Sequence, residues 1–483
     1  MSTNAPTGTA RGTTVTARPP TPARKHPFLA LAAIVGTQLM LLLDVTVVNV
    51  ALPGIGRHLG FSPTNLSWVL NVYTLAFGGL LLLGSRIGDL IGRRNALLWG
   101  VSAFTLASVA GGLANNAALL LVARGLQGAS AALAAPSTLA LIATTFGEGA
   151  ERNRALSVFS AISGAGSAIG LTLGGMLTDW GSWRWVFFVN IPVGAAIVLL
   201  APRFINETER HRGGRFDVAG ALTGTLGMAS LVYAFIRVAD SGWGDSRALT
   251  TFAAAGLLLA AFLVNELRVE RPLVVLRLFR DRNRGLAYGV MLMYPAGMFG
   301  VFYFTTQYLQ NYLGYSPLKT GFAFLPLAAP LFLAARVAPR ALGKFGAKRL
   351  AASGVTLVLV AMLWLTRLNG GDSYASGLLG PLILMGYGVG STMMPLNTLI
   401  LAGVAPKDAG SASGLLQTMQ QVGGSLGLSI LVTVFGTASR HAHHDPFIHG
   451  ATAGFKMATV FTAVSLVLVF ALKQPKAPRL APA

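Results

Sequence analysis

The chain contains no cysteine among its 483 residues. This absence excludes a disulfide framework, a thiolate metal site and a cysteine nucleophile. Charge is also scarce, because charged residues make up 11% of the sequence and only 16 of them are acidic. Hydrophobic residues reach 53%, and the mean hydropathy is +0.62. This composition excludes an ordinary water-soluble domain and is typical of a membrane protein.

A nucleotide-binding P-loop is missing as well. The one Gly-Lys pair, Gly343-Lys344, is followed by Phe345 where a P-loop needs Ser or Thr. We therefore predict no ATP hydrolysis, no enzyme activity and no cofactor. A driven transporter without a nucleotide site has to use an ion gradient.

Long apolar segments dominate what is present. A helix needs about 20 mostly apolar residues to cross a bilayer. The sequence predicts fourteen such segments, at 28–50, 66–83, 96–113, 117–146, 155–177, 185–200, 218–236, 248–263, 285–309, 321–337, 350–365, 376–404, 410–435 and 455–472. We expect an all-α membrane protein with fourteen transmembrane helices.

The basic residues explain the formal net charge of +21. With the N-terminus in the cytoplasm, 28 of the 37 Lys and Arg fall in cytoplasmic segments and seven in the opposite loops. Positive loops are retained on the cytoplasmic side, so this bias predicts a multi-pass protein of the cell membrane with both termini cytoplasmic. We attribute the charge to topology and contact with the lipid bilayer, and predict no nucleic-acid partner.

Charge runs at 203–215 and 266–284 flank two apolar segments that we interpret as an insert. The predicted organisation is a disordered cytoplasmic tail at 1–27, an N-terminal six-helix bundle at 28–202, a linker with two extra helices at 203–284, a C-terminal six-helix bundle at 285–473 and a cytoplasmic tail at 474–483. Two similar bundles around a central pathway are typical of transporters. We expect a monomer.

Asp44 is the only charged residue between Phe28 and Pro53. A carboxylate at the centre of a membrane helix costs roughly 2.5 to 3.5 kcal/mol and usually marks an ion or proton pathway. Arg124, in the fourth segment, lies at a similar depth when each is counted at about 1.5 Å per residue from its helix end. If the two helices are neighbours, Arg124 pairs with Asp44, with Gln127 one turn away. The alternatives are a static ion pair, or an aspartate that is protonated or reaches an interface.

Several separated motifs resemble one transporter family. Residues 43–53 read LDVTVVNVALP, residues 68–73 read WVLNVY and residues 88–94 read GDLIGRR. Further matches are WRWVF at 183–187, NIP at 190–192 and DAGSASG at 408–414. Together they resemble the fourteen-helix drug/proton antiporter branch of the major facilitator superfamily.

The resemblance implies roles for two further groups. Asp89, with Arg93 and Arg94, is expected to gate the cytoplasmic side by facing the start of the thirteenth segment near Gly410, where a helix dipole favours negative charge. Without the resemblance, this loop reads as a positively charged anchor on the cytoplasmic side. Gly166, Gly170 and Gly174 share one helix face. The resemblance places this face at the interface of the two bundles. The alternative is a general face for close helix packing.

A substrate cavity is expected between the bundles. We predict that it is lined by polar and aromatic residues, which are Asn49, Trp68, Tyr73, Gln127, Tyr294 and Asn397. Ordinary helix packing is the alternative for each of them. Four histidines at 441, 443, 444 and 449 are predicted to belong to a solvated loop, with no metal site.

The function that these observations favour is proton-coupled export of lipophilic drugs or antibiotics, including cationic ones, by alternating access. Asp44 would carry the proton and Arg124 would tune it. Two alternatives stay open: a dedicated exporter of one endogenous metabolite, and a non-transporting scaffold or lipid-handling protein with the same fold.

Overall fold

The computed structural model describes residues 26–147, 149–208, 217–269, 272–404 and 409–473. Most of both predicted tails therefore lies outside the described residues. The described residues form helices and connecting turns, with no strand among them.

Fifteen α-helices are described. The first seven are α1 (Pro27–Leu59), α2 (Trp68–Ile91), α3 (Arg93–Gly112), α4 (Ala117–Thr145), α5 (Ala150–Trp180), α6 (Trp185–Phe188) and α7 (Asn190–Phe204). The next two are α8 (Val218–Ser241) and α9 (Ser246–Arg268). The last six are α10 (Arg282–Gln307), α11 (Pro317–Ala323), α12 (Leu325–Leu365), α13 (Gly380–Leu401), α14 (Ala409–Arg440) and α15 (Pro446–Ala471).

Twelve helical stretches of the described residues are long and apolar enough to cross a membrane, and the chain is a multi-pass membrane protein. The predicted count of fourteen is not confirmed. Helix α5 is 31 residues long but is not among the twelve. The stretch Pro317–Leu365 counts once, although Gly346 interrupts its helix with a φ of 77°.

The sequence prediction was wrong between 338 and 349, where it placed a loop. The structure continues helix α12 on both sides of Gly346. Glycine has no Cβ and takes positive φ at little cost, so one residue can turn the chain without a loop. Helix α1 also extends beyond the predicted end at 50 to Leu59, and includes Pro53.

Most helix packing takes place within each half of the chain. Helix α1 packs against α4, α5 and α7, and α3 packs against α4 and α7. In the second half of the chain, α10 packs against α14 and α15, and α12 against α13 and α15. Contacts between the halves are made by α2 with α14, by α5 with α11 and by α1 with α10. Helices α8 and α9 pack on each other, and α8 also packs on α2 and α14.

The two ends of α1 define two faces of the molecule. We call the face at which α1 begins the near face, and the face at which α1 ends the far face. The chain alternates between them, so the turns after α2 and α9 lie at the near face and the turn after α1 lies at the far face.

Candidate functional site

Helices α2 and α4 are drawn together by a glycine. A Cβ at Gly128 would lie 2.3 Å from the backbone oxygen of Tyr73, so only glycine permits this approach. Asn116 caps the start of α4 by accepting a hydrogen bond from the Leu119 amide at 2.8 Å. Close packing of α4 on α2 then places Arg124 beside Val69 and Tyr73.

Asp44 of α1 and Arg124 of α4 form a buried ion pair. Arg124 Nη1 donates to Asp44 Oδ2 at 2.5 Å, and neither side chain is exposed. Gln127 Nε2 donates to Asp44 Oδ1 at 2.9 Å, and Asn190 Nδ2 donates to the same oxygen at 3.3 Å. The carboxylate is therefore held by one cation and two neutral amides.

The guanidinium of Arg124 is also fixed in place. Its Nε donates to the backbone oxygen of Val69 at 2.9 Å, and its Nη1 donates to Gln127 Oε1 at 3.0 Å. Its Cζ lies 4.4 Å from the centre of the Tyr73 ring, within the range of a cation–π contact. Arg124 Nη2 and the Tyr73 hydroxyl have no hydrogen-bond partner, so the network has unused donors next to the pair.

Ser108 and Asn190 complete this network, and the sequence analysis assigned them no role. Ser108 Oγ accepts from Gln127 Nε2 at 2.8 Å and from Asn190 Nδ2 at 3.3 Å. Asn190 belongs to the NIP motif at the start of α7, which was the available signal. Ser108 lies in an apolar stretch of α3 that gave no signal.

A cavity of about 530 Å³ lies between the two halves of the chain. Among the residues predicted for it, Asn49, Tyr73 and Asn397 line its wall. Arg124 is the one charged residue among the described residues of that wall. The described lining also includes four glutamines, three threonines and four phenylalanines. They are Gln38, Gln417, Gln420, Gln421, Thr46, Thr74, Thr138, Phe77, Phe159, Phe299 and Phe302.

Among the described residues of the cavity wall there is no carboxylate, while amide, hydroxyl and phenyl side chains are all present. Amide and hydroxyl groups can bind donors and acceptors alike, and phenylalanines bury apolar surface. A pocket of this kind, mostly apolar with a few polar groups, suits a lipophilic small molecule.

Three residues predicted for the cavity lie elsewhere. Gln127 is fully buried in the Asp44 network and does not line the wall. Trp68 packs against Tyr233 of α8, because its side of α2 faces the inserted helices. Tyr294 is buried in the core of the second half, and its hydroxyl has no hydrogen-bond partner.

The far face is closed by hydrogen bonds between the two halves. Gln310 Nε2 donates to the backbone oxygen of Val50 at 2.8 Å, and Thr306 Oγ1 donates to Asn49 Oδ1 at 3.2 Å. Nearer the surface, Arg57 Nη1 donates to Asn311 Oδ1 at 3.4 Å. These contacts join α1, between Asn49 and Arg57, to the last turn of α10 and the residues that follow it, so they lie on the far-face side of the cavity.

Asp89 lies at the near face in a small cleft of about 90 Å³, which Gly410 and Ser411 of α14 also line. Arg93 Nη2 donates to its carboxylate at 2.5 Å. Arg94 does not belong to this cleft. Its amide donates to Glu207 Oε1 at 3.1 Å and its Nη1 donates to the backbone oxygen of Ile205 at 3.2 Å. Arg94 therefore anchors the start of α3 to the segment after α7.

The glycine face of α5 packs within the first half of the chain. A Cβ at Gly166 would lie 2.4 Å from the side chain of Leu42, and a Cβ at Gly174 would lie 2.8 Å from the backbone of Val47. All three glycines of this face therefore contact α1 rather than the second half. Gly175, one residue further, is the glycine whose Cβ would meet Pro317 of α11, at 2.6 Å.

A buried asparagine links α2 to α14. Asn71 Nδ2 donates to Ser429 Oγ at 3.1 Å, and Ser425 Oγ donates to Asn71 Oδ1 at 3.0 Å. Asn71 is part of the WVLNVY motif, but the sequence analysis gave it no role. In the described part of the chain, no group of three or more His, Cys, Asp or Glu side chains is arranged to hold a metal.

The sequence of this chain is similar to those of a known protein family. The family model described as Major Facilitator Superfamily matches residues 34–428, which is most of the chain. The chain belongs to the Major Facilitator Superfamily. Membership of this family makes the chain a transporter rather than an enzyme.

Curated members of the superfamily are similar to this chain over nearly their whole length. The puromycin resistance protein pur8 of Streptomyces alboniger is 42% identical, over 92% of this chain and 90% of the relative. The cephamycin export protein CmcT of Amycolatopsis lactamdurans is 37% identical, over 91% of each. A solved peptide transporter of the POT family aligns with a TM-score of 0.66 at 14% identity, over 94% of this chain and 99% of that one, which shows the shared fold.

Proposed function

We propose that the chain is a proton-coupled secondary exporter of lipophilic drugs or antibiotics, which works by alternating access. The names of the two relatives, one for resistance and one for export, support export of small molecules. They do not favour a dedicated exporter of one endogenous metabolite or a non-transporting scaffold. The observation that carries the proposal is the buried Asp44–Arg124 pair beside the cavity.

In this proposal Asp44 carries the transported proton. The carboxylate is fully buried, and its one cationic partner, Arg124, also lines the cavity. A movement of Arg124 away from Asp44 would leave an unpaired buried charge, which is strongly unfavourable unless the carboxylate takes a proton. Proton binding is thereby linked to the shape of the cavity.

The cavity chemistry narrows the proposed substrate. A permanent cation in a low-dielectric site is stabilised most by an opposite charge and is repelled by a like charge. The described lining residues include no carboxylate, and the one charge among them is the positive Arg124. We therefore propose that lipophilic molecules with neutral hydrogen-bonding groups are preferred to permanent cations of similar size.

The proposal includes the number of membrane spans and their orientation. We propose fourteen spans, because α5 is long enough to cross a membrane and Gly346 divides the stretch Pro317–Leu365 in two. Six spans would come before the insert and six after it, in a monomer of the cell membrane. The near face would be cytoplasmic, with both termini on it, and Asp89 with Arg93 would gate that face.

The proposal is tested with the purified chain in proteoliposomes that carry a proton gradient. Puromycin and a cephamycin are the probes, because the relatives' names contain them. We expect the probe to be accumulated against its own gradient at the expense of the proton gradient. Asp44→Asn should lower this accumulation by at least about tenfold while downhill flux continues, because the carrier cannot take a proton.

Asp245→Asn is the matched control. Asp245 is also a carboxylate paired with an arginine, Arg237, at 2.6 Å, but it lies in the turn between α8 and α9 at the far face. This variant should accumulate the probe as the unchanged chain does. If Asp44→Asn accumulated the probe equally well, Asp44 would not be the proton carrier.

A further inference from the structure

The inserted helix α8 contacts both halves of the chain where it ends at the far face. Its last turn lies between the turn after α1, at residues 60–67, and the last turns of α14. All residues at 57–68, 218–246 and 430–447 belong to the described part of the chain. One inserted helix therefore holds the two halves together at this face.

Asp240 links α8 to the first half. Its Oδ1 accepts a hydrogen bond from Thr64 Oγ1, and its Oδ2 accepts one from Asn65 Nδ2 at 2.9 Å. The side chain of Asp240 is exposed. Thr64 Oγ1 also lies 3.1 Å from Ser62 Oγ, a second hydrogen-bond partner within its own turn. If this link opens, water hydrates the carboxylate and Thr64 keeps a partner.

Arg440 and Thr433 of α14 link α8 to the second half. Arg440 Nη1 donates to the backbone oxygen of Ala239 at 2.5 Å, and its Nη2 donates to that of Val238 at 3.4 Å. Thr433 Oγ1 donates to the backbone oxygen of Phe235 at 2.6 Å. The last turn of a helix leaves carbonyl groups without partners inside the helix, and a basic side chain there can satisfy them. Arg440 does this for α8.

The two links differ in what their loss would cost. Val238 and Ala239 are buried, with exposed fractions of 0% and 2%. A buried carbonyl group that loses its donor is unfavourable, above all in a membrane protein, where no water replaces the donor. Asp240 is exposed, so water replaces its lost donors. The link to the second half is therefore the stronger of the two.

The contact between α8 and α2 does not reverse this order. Trp68 of α2 packs against Tyr233, and Gly79 lies against Thr225, whose hydroxyl has no hydrogen-bond partner. Such contacts can be exchanged for contacts with lipid chains, which are as apolar as the side chains that they replace. Buried carbonyl groups have no such exchange partner.

We propose that α8 moves with the second half and that Asp240 is a positioning residue of the far face, which fastens the first half to α8 while this face is closed. Opening of the far face breaks the bonds that Asp240 accepts from Thr64 and Asn65. It keeps the bonds between α14 and the end of α8. This inference rests on the alternating access of the proposed function but not on proton coupling at Asp44.

Distances between spin labels test which half carries α8. Because the chain has no cysteine, labels attach only to introduced thiols. At the far face, Asn115→Cys marks the first half, Gly244→Cys marks the turn after α8 and Gly371→Cys marks the second half. Asn115 is exposed, and no atom lies within 4 Å of a Cβ at either glycine. Double electron–electron resonance on the purified full chain gives the distances from position 244 to positions 115 and 371.

Asp240→Ala should lengthen the distance from 244 to 115 and leave the distance from 244 to 371 unchanged. The ratio of long to short distances should rise on the order of tenfold, because two hydrogen bonds to a charged group are lost. A second variant, Thr64→Val with Asn65→Ala, removes the donors instead and should give the same shift. Asp179→Ala is the control. Asp179 is an exposed carboxylate at the end of α5, at the same face, and its loss should change neither distance.

Loss of the link to the second half should have the opposite result. Arg440→Met combined with Thr433→Val should lengthen the distance from 244 to 371 and leave the distance from 244 to 115 unchanged. The proposal is overturned if Asp240→Ala lengthens the distance to 371. It is also overturned if neither distance changes in Asp240→Ala and in the Thr64 and Asn65 variant.

None of these measurements uses transport or a proton gradient. If Asp44→Asn accumulates the probe as the unchanged chain does, the assignment of the proton carrier is wrong while the label distances still respond to Asp240→Ala. If the distances do not respond, the role of Asp240 is wrong while proton-coupled accumulation is unaffected. The two proposals therefore fail separately.

Discussion

At the scale of single residues, Asp44 is stabilised by three partners from two other helices, α4 and α7. Arg124, Gln127 and Asn190 all donate to its carboxylate. A buried ion pair is costly to desolvate and is strongly destabilising when only one partner remains. The arrangement therefore depends on both charges being present.

A double-mutant cycle measures this dependence. Asp44→Asn should lower the free energy of unfolding by about 3 kcal/mol, because Arg124 is left as a buried unpaired charge. Asp44→Asn combined with Arg124→Gln should recover most of that loss, since no charge remains. Thermal unfolding in detergent gives the four values. A double variant as unstable as the sum of both single variants would contradict the coupling.

A new carboxylate on the cavity wall should change the substrate preference. Gln417 lines the cavity and is partly buried. Gln417→Glu should raise export of tetraphenylphosphonium, a permanent lipophilic cation, by about tenfold or more, because an opposite charge in a low-dielectric site attracts the cation. Efflux from proteoliposomes measures the effect.

Gln417→Met, similar in size and uncharged, serves as the control for this substitution. It should leave export of the cation low. If the unchanged chain exported the cation as well as it exports a neutral compound of similar size, the proposed preference would be wrong.

At the scale of helices, glycine determines which elements come close. Gly128 lets α4 approach α2, and the glycine face of α5 lets α1 pack against it. The sequence predicted the glycine face from its spacing of four residues. The resemblance placed this face at the interface of the bundles, whereas it packs on α1, because a stripe of small residues indicates only that some backbone comes near.

Gly170→Ala should disturb the contact between α1 and α5. The added Cβ would lie 1.8 Å from Thr46 Oγ1, which lines the cavity. We expect a loss of about 1 to 3 kcal/mol in stability, as is typical of overpacking. Thr46→Ala in the same chain should recover part of it by removing the hydroxyl.

Gly343→Ala is the control for this prediction, because no atom lies within 4 Å of a Cβ at that position. Its stability should be unchanged or slightly higher, since alanine favours helix. Thermal unfolding compares the variants. A loss at Gly170 no larger than the change at Gly343 would contradict the packing argument.

At the scale of the whole molecule, hydrogen bonds join the two halves on the far-face side of the cavity. Gln310, Thr306 and Asn311 of the second half bond to Val50, Asn49 and Arg57 of α1. Asn71 adds a buried link between α2 and α14. Alternating access requires the far-face contacts to break and re-form in each cycle.

Crosslinking the far face should stop transport. Arg57→Cys with Asn311→Cys replaces one hydrogen-bonded pair with two thiols in a chain that has no other cysteine. Joining them with a short, cleavable maleimide crosslinker should abolish export, and cleavage should restore it. Each single variant, treated identically, should remain active. Full transport by the crosslinked chain would show that this face does not open.

The sequence by itself determined the membrane character, the helical class, the loop charges and the residue types at the site. These follow from local chemistry. The length of an apolar segment and the presence of a charge or a small residue within it are visible from that segment alone. The motifs also indicated the family, which the comparisons confirm for this chain.

Only the tertiary structure decided which of these residues meet. It separated Trp68, Gln127 and Tyr294 from the cavity wall and brought Ser108 and Asn190 to Asp44. Such contacts depend on how each helix is rotated about its axis and on which helices are neighbours. Those choices are made by packing between segments far apart in the chain, which local patterns along one segment do not encode.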